Sequence, residues 1–573
     1  MGEHSPRRVG GSLSALDDFL AHYFASQPVT ATFTGRHEYD HELPDWSMAG
    51  RAREMARLRV LREQLDAEHP LPSADLGALR ADAAGLDAEL ARANIDVRLA
   101  EDASGHFLAR NPALWTGEAI FGVVSLMIRD FAPAADRVDA IEARLARVPE
   151  FLETMRTALS EPVPERWRAR AVRECATARV LCTDALDAWC DQASDIPASA
   201  RTRLTRAGSA AAVAFDGAAQ WLTTRPAADA AAYSAGGDLI DVLLRRGHFC
   251  AESPRALLTR AAEAMAREAA ALADQVTAAG FANWAAASAA IAADHPSVED
   301  YLPTFQQRWD AVRDAARRAD AVTWPDWPIR YVPIPAWARA VQPSLYWLFY
   351  RSPAPFDPYS VYEYLVQPID ASMPTAEQAQ RLSAWNHATI MLNHVVHHGG
   401  IGHHVQNWHA THRSTSRIGR IAAVDAASRI GMFPGGSMAE GWACYATQLA
   451  EELGCLNPLE ALSEQHTRVR LLARAIVDLR LHLGDWTFTE CVQYYQSVVG
   501  MSADMAAAET TKNSMFPATA LMYWLGTQGI LDLRAAHRAH AGAAFSLRAF
   551  HDELLGRGAI PVCLAAQLMA VRA

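Results

Sequence analysis

Apolar residues recur every three or four positions over most of the chain, as in residues 51–69, 76–99 and 254–279, with Ala, Arg, Glu and Asp filling the positions between. That spacing in strong helix formers predicts helices throughout residues 13–320. Pro and Gly clusters at His69-Pro70-Leu71-Pro72, Glu161-Pro162-Val163-Pro164 and His295-Pro296 interrupt the pattern and mark turns. Between 321 and 374 the character changes: Trp, Tyr, Pro and β-branched residues dominate, and IRYVPIP and VYEYLVQP have the composition of short strands. After Pro374 the helical spacing returns and runs to the end. The expected fold class is therefore mainly α. A flexible tail (1–12) precedes an N-terminal helical lobe (13–320), and a small β-sheet joins a C-terminal helical lobe (321–573) beside a deep cleft.

Composition narrows the function classes. Of 573 residues, 53 are Lys or Arg and 65 Asp or Glu, a formal charge of −12, so no nucleic-acid partner is expected. Hydrophobic content of 50% and charged content of 21% describe a folded chain with a sizeable core. Apolar runs such as residues 119–128 fall short of the roughly 18 to 20 residues that cross a bilayer, so no membrane partner is expected. The opening MGEHSPRRVGGSLS has no apolar signal segment, and Pro6 stands where a myristoylation pattern wants Ser or Thr. Eight cysteines without a CxxC pair read as reduced thiols, and the expected location is cytoplasmic. Oligomeric state is not set by any of these features.

Histidine is concentrated in one place. Eight of the 21 lie between positions 387 and 412: His387, His394, His397, His398, His403, His404, His409 and His412. Neutral imidazole is the commonest metal ligand, and Met391, Leu392, Val395 and Val396 beside these histidines favour an internal face over a solvated one. His394 and His398 would meet on an unbroken helix. The run Gly399-Gly400-Ile401-Gly402 should break it, and a bulge there swings His403 or His404 back towards His397. A third ligand, Glu440, stands in Gly435-Gly436-Ser437-Met438-Ala439-Glu440. The alternative for Glu440 is a capping box with Ser437. Two histidines and a distant carboxylate on helices are otherwise the usual set for zinc with an open position.

Taken together, these segments resemble a large bacterial family of uncharacterised zinc-metallopeptidase-like proteins whose fold is similar to that of the Taq-type metallocarboxypeptidases. That family carries H-E-x-x-P-G-H-H-x-Q followed by E-G-W-x-x-Y. The corresponding segments are His397-His398-Gly399-Gly400-Ile401-Gly402-His403-His404-Val405-Gln406 and Glu440-Gly441-Trp442-Ala443-Cys444-Tyr445. Weaker matches are Gly35-Arg36-His37-Glu38-Tyr39-Asp40, Asp478-Leu479-Arg480-Leu481-His482 and Phe550-His551-Asp552-Glu553-Leu554-Leu555. The resemblance implies a metal held by His397, His403 or His404, and Glu440, with His403 taken as the second ligand. It also implies a cleft-facing His482 and a cleft-side Tyr523. The departures fall at the chemistry. His398 replaces the Glu that would serve as general base, Ile401 replaces the motif Pro, and R-Y-x-x-x-P-G-Q becomes Lys512-Asn513-Ser514-Met515-Phe516-Pro517-Ala518-Thr519.

The leading expectation is a zinc-dependent hydrolase acting on an amide or peptide-like bond of a small molecule or short peptide-like substrate, with His398, His482 and Tyr523 as catalytic candidates. His398 is open between base, ligand and structural histidine. One alternative is a non-hydrolytic metalloenzyme, since two histidines and a carboxylate also describe sites for Fe or another divalent transition metal. The other is an inactive relative that binds a ligand in the same cleft.

Overall fold

The computed structural model describes residues 14–70, 76–341, 350–351, 353–357, 362–421, 425–426, 429–430 and 435–571. The expected tail at 1–12 lies outside them. Helices account for 74% of the structure, so the fold is mainly α as the spacing predicts. Helix starts follow sequence signals. Asn457 and Glu460 form a reciprocal capping box at the helix Pro458–His482, and Ser253 caps Pro254–Ala278 with Pro at its first position.

The strands also fall where the composition changes. β1 (Arg330–Pro333) pairs parallel with β3 (Glu363–Val366), and β2 (Tyr350–Arg351) pairs antiparallel on the other side of β3. Tyr331 stands opposite Tyr364 in the register. A second, two-stranded ribbon joins β4 (Asp425–Ala426) to β5 (Arg429–Ile430).

Two apolar cores hold the helices together. One gathers residues such as Trp115, Trp167, Leu479 and Leu525, the other Phe19, Trp309, Val396 and Trp442. Each draws on both sides of residue 320, so the expected division there does not separate the cores. The helix Gly436–Glu452 packs along Met522–Ala541. They cross at Gly441 and Gly526, where an added Cβ on Gly441 would lie 2.5 Å from the Gly526 Cα, so only glycine permits the contact.

The three weaker family segments prove to be ties between distant parts of the chain. His37 bonds Asp40 at 2.9 Å and approaches Asp357 at 3.8 Å; against burial, which lowers it, the two carboxylates raise its pKa to about 9. The His551 ring bonds the Tyr445 hydroxyl at 2.8 Å and donates to the Ala321 carbonyl at 2.7 Å. Asp478 accepts the backbone N–H groups of Ala518 and Leu521 at 3.1 and 3.0 Å, fixing the loop that follows the helix Ala503–Met515.

In that loop Ala518 has φ +61° and is fully buried. A side chain there costs energy that glycine, the family residue, avoids. Ala518→Gly is expected to raise stability by about 1 kcal/mol, seen as a higher urea midpoint; an unchanged or lower midpoint would show that the Asp478 contacts already relieve the strain.

Candidate metal centre

The histidine helix is wound unusually. Residues 387–389 are α-helical, and Ile390–Gly399 continue as a π-helix, a form often found at functional sites. The chain then turns through Gly400, Ile401 and Gly402 and re-enters an α-helix at His403–Arg413. Gly402 donates its N–H to the Val396 carbonyl at 3.0 Å. A Cβ on Gly402 would stand 1.9 Å from the His397 carbonyl oxygen, so no other residue allows this return. Two buried indoles hold the turn. Trp309 Nε1 donates to the Gly399 carbonyl, and Trp442 Nε1 donates to the Ile401 carbonyl at 2.8 Å.

The turn brings side chains from before and after the glycines together. One ligand atom each of His397, His398 and His403 lies within 4.8 Å of the other two. Glu440 approaches from the facing helix, its Oε2 3.3 Å from His397 Nε2 and 3.8 Å from His403 Nε2. That oxygen is buried without a well-aligned hydrogen bond among the described residues, in a side chain only 8% exposed. The capping alternative does not hold. The cap position is Gly435, without a side-chain bond, and the Ser437 hydroxyl accepts from the Val562 N–H at 3.1 Å.

The other ring nitrogens set the tautomers. His398 donates from Nδ1 to the Asn393 carbonyl at 2.7 Å, which leaves the lone pair on Nε2. His403 Nδ1 lies 3.4 Å from Gln406 Oε1, and His397 Nδ1 lies 3.9 Å from Cys444 Sγ. Such outer contacts orient metal-binding imidazoles. Burial, reinforced by the neighbouring imidazoles, keeps His398 neutral far below the usual range; burial brings His403 down to about 4, with Glu440 opposing. Burial alone would raise Glu440, but the approach of His397 and the other imidazoles hold it at about 2.

Two sequence candidates are placed elsewhere. His404 is occupied on both nitrogens, by the Tyr350 hydroxyl at 2.8 Å and the Trp327 carbonyl at 2.9 Å, so the second histidine beside Glu440 is His403. His482 is a correction to the cleft-facing expectation. It is fully buried, accepts the Ala235 N–H on Nδ1 at 3.0 Å, donates from Nε2 to the Asn513 carbonyl at 3.0 Å, and lines no part of the cavity. With both nitrogens committed, it can only hold those loops together.

A cavity of about 520 Å³ opens beside the cluster, within the range of small-molecule sites, and His397, His398, Glu440, Cys444 and Tyr523 line it. Arg170, Arg470, Arg474 and Lys512 also line it. The arginines had no motif to announce them. Their only sequence signal is that Arg470 and Arg474 interrupt the apolar stretch Leu471-Leu472-Ala473 and Ala475-Ile476.

No described helix is long and apolar enough to cross a membrane. No curated protein matches the chain. Two solved bacterial structures share its fold, each described as a "putative lipoprotein". One, of unknown function, is from Shewanella oneidensis (18% identity, TM-score 0.74, 97% of this chain and 98% of that one). The other is from Colwellia psychrerythraea (16% identity, TM-score 0.75, 97% of this chain and 99% of that one). At such identities the likeness shows the fold alone, and neither description names an activity. The profile described as "Bacterial protein of unknown function (DUF885)" matches residues 28–569, nearly the whole chain, and the protein belongs to that family.

Proposed function

We propose that this chain is a metal-dependent enzyme of hydrolase type, acting on an amide or peptide-like bond of a small substrate, with zinc held by His397, His403 and Glu440. One observation carries this reading: a buried carboxylate oxygen without a well-aligned hydrogen bond among the described residues lies 3.3 Å from His397 Nε2 and 3.8 Å from His403 Nε2. Left so, Glu440 is a buried anion without an aligned donor, which is costly. Two neutral imidazoles and one carboxylate suit zinc and leave a position open to the cavity.

When bound there, zinc supplies Lewis acidity and lowers the pKa of a coordinated water to about 7. The chain's own residues do the rest. Glu440 balances charge, and the Nδ1 contacts of His397 and His403 fix the rings. His398 presents the Nε2 lone pair and can accept a proton there. Burial disfavours its imidazolium, so the proton is held poorly and peptide hydrolysis is slow. Tyr523 brings a hydroxyl to the same cavity, its ring 5.3 Å from the Arg474 guanidinium carbon.

A second reading follows from the three-imidazole group. If His398 also ligates, no base remains, and three histidines with a carboxylate suit non-hydrolytic chemistry on iron or another divalent transition metal. A cytoplasmic location is supported by eight unpaired thiols; the lipoprotein description belongs to the structural neighbours, and cell fractionation decides between the two.

Metal analysis of the purified protein is expected to find one equivalent of zinc per chain, with affinity falling at least a hundredfold in Glu440→Gln and His397→Ala. Protein that binds neither zinc nor iron at saturation would leave only the ligand-binding alternative, and oxygen-dependent iron activity would select the second reading. His398→Glu is expected to raise hydrolysis of simple peptides roughly 10²- to 10⁴-fold; loss of bound metal instead would identify His398 as a ligand. Gly402→Ala should cost roughly 1–3 kcal/mol through overpacking and release the metal as His403 is displaced, whereas wild-type metal affinity would show that the glycine turn does not place that ligand.

A further inference from the structure

The cavity lining carries more cations than directly bonded carboxylates. Arg470 and Arg474 come from the helix Pro458–His482, four residues apart on one face, Lys512 from Ala503–Met515, and Arg170 from Glu165–Val180. Two of the four have carboxylate partners. Arg474 meets both oxygens of Glu509 at 2.7 and 2.8 Å, and Arg170 Nε meets Glu174 at 2.8 Å. Arg470 and Lys512 have no ion pair or hydrogen bond among the described residues, and Arg470 Nε is buried without an acceptor. The carboxylates lining the same cavity are Glu101 and Glu440, and Glu440 answers the histidines.

Such an arrangement is unfavourable in the empty protein. Like charges four apart on a helix repel, and the half-buried Arg470 and Lys512 give up hydration with the more distant charge of Glu509, itself bound to Arg474, to offset it. An anion entering the cavity removes both penalties. Ser463 and Thr467 line the cavity from the same helix as the two arginines; the Thr467 hydroxyl donates to the Ser463 carbonyl at 2.9 Å, and Ser463 adds a hydroxyl. Arginine's planar fork matches a carboxylate or phosphate edge, and lysine adds a point charge beside it.

We propose that this cavity takes an anionic substrate, whose carboxylate or phosphate group is held by Arg470 and Lys512 while its amide lies at the histidines. The second half rests on the amide-cleaving reading; the anion site stands without it.

The test is calorimetric titration of chelator-treated and zinc-loaded protein with glutarate and, separately, inorganic phosphate. Metal-free wild type is expected to bind one of them, more weakly as salt is raised, and the preferred one names the group. Arg470→Met and Lys512→Met should each lose at least tenfold in affinity, while His397→Ala retains it. The proposal is overturned if neither anion binds, if both cation variants bind like wild type, or if binding disappears with the metal. Zinc uptake failing while anion binding persists would count against the metal reading alone. Thermal melts separate a binding role from a structural one. Without ligand, both cation variants should melt at or above the wild-type temperature, because each loses an unpaired charge; a fall in both marks cations that hold the fold and overturns the proposal.

Discussion

Two indole N–H groups, from Trp309 and Trp442, hold the carbonyls of a glycine turn, and the rest of the site depends on those bonds. Gly399, Gly400 and Gly402 give up side-chain packing to let the chain double back on itself, a backbone path with little intrinsic preference. The indoles come from two different helices and convert that loose path into one geometry. Trp442 stands two residues after Glu440, so the element that delivers the carboxylate also fixes the turn that delivers His403. The backbone contact at Gly441 and Gly526 then locks that element against its neighbour. The geometry of the histidine cluster is thus secured by apolar packing and by hydrogen bonds to the backbone.

The electrostatics of the cavity are divided between its walls. On one side burial keeps His398 and His403 neutral, and Glu440 is the one carboxylate beside the cluster. On the other, arginines and a lysine carry charge that only partly finds carboxylates. Neither wall is at its lowest energy as an empty surface. Unsatisfied groups of this kind are rare in protein interiors, and Glu440 Oε2 and Arg470 Nε are two of them at the same small-molecule-sized space.

Much of the architecture was legible in the spacing of apolar residues, because helices in a mainly α protein bury one face each and so repeat every three to four positions. The small sheet was legible from Tyr331 to Val366 through β-branched and aromatic content. The histidine cluster and its glycine break were visible in order, but three features were not. The π-helical winding of Ile390–Gly399 leaves no distinctive spacing. The choice between His403 and His404 depends on Tyr350 and Trp327, which sit far away in sequence. His482 belonged to a recurring segment, yet its partners are the backbones of Ala235 and Asn513, so its role is cohesion between loops. Arg470 and Arg474 were overlooked because a charged residue on a helix usually faces water, and only the fold turns them inward.

His398 is held to the fold by one hydrogen bond to a carbonyl of its own helix. Its neighbours His397, His403 and Glu440 approach one another closely, whereas the ring at 398 makes otherwise only packing contacts, with Tyr364, His394, His397 and His403. A scaffold built this way permits evolutionary retooling: selection can swap the group that handles protons while inheriting the cation site and the pocket unchanged.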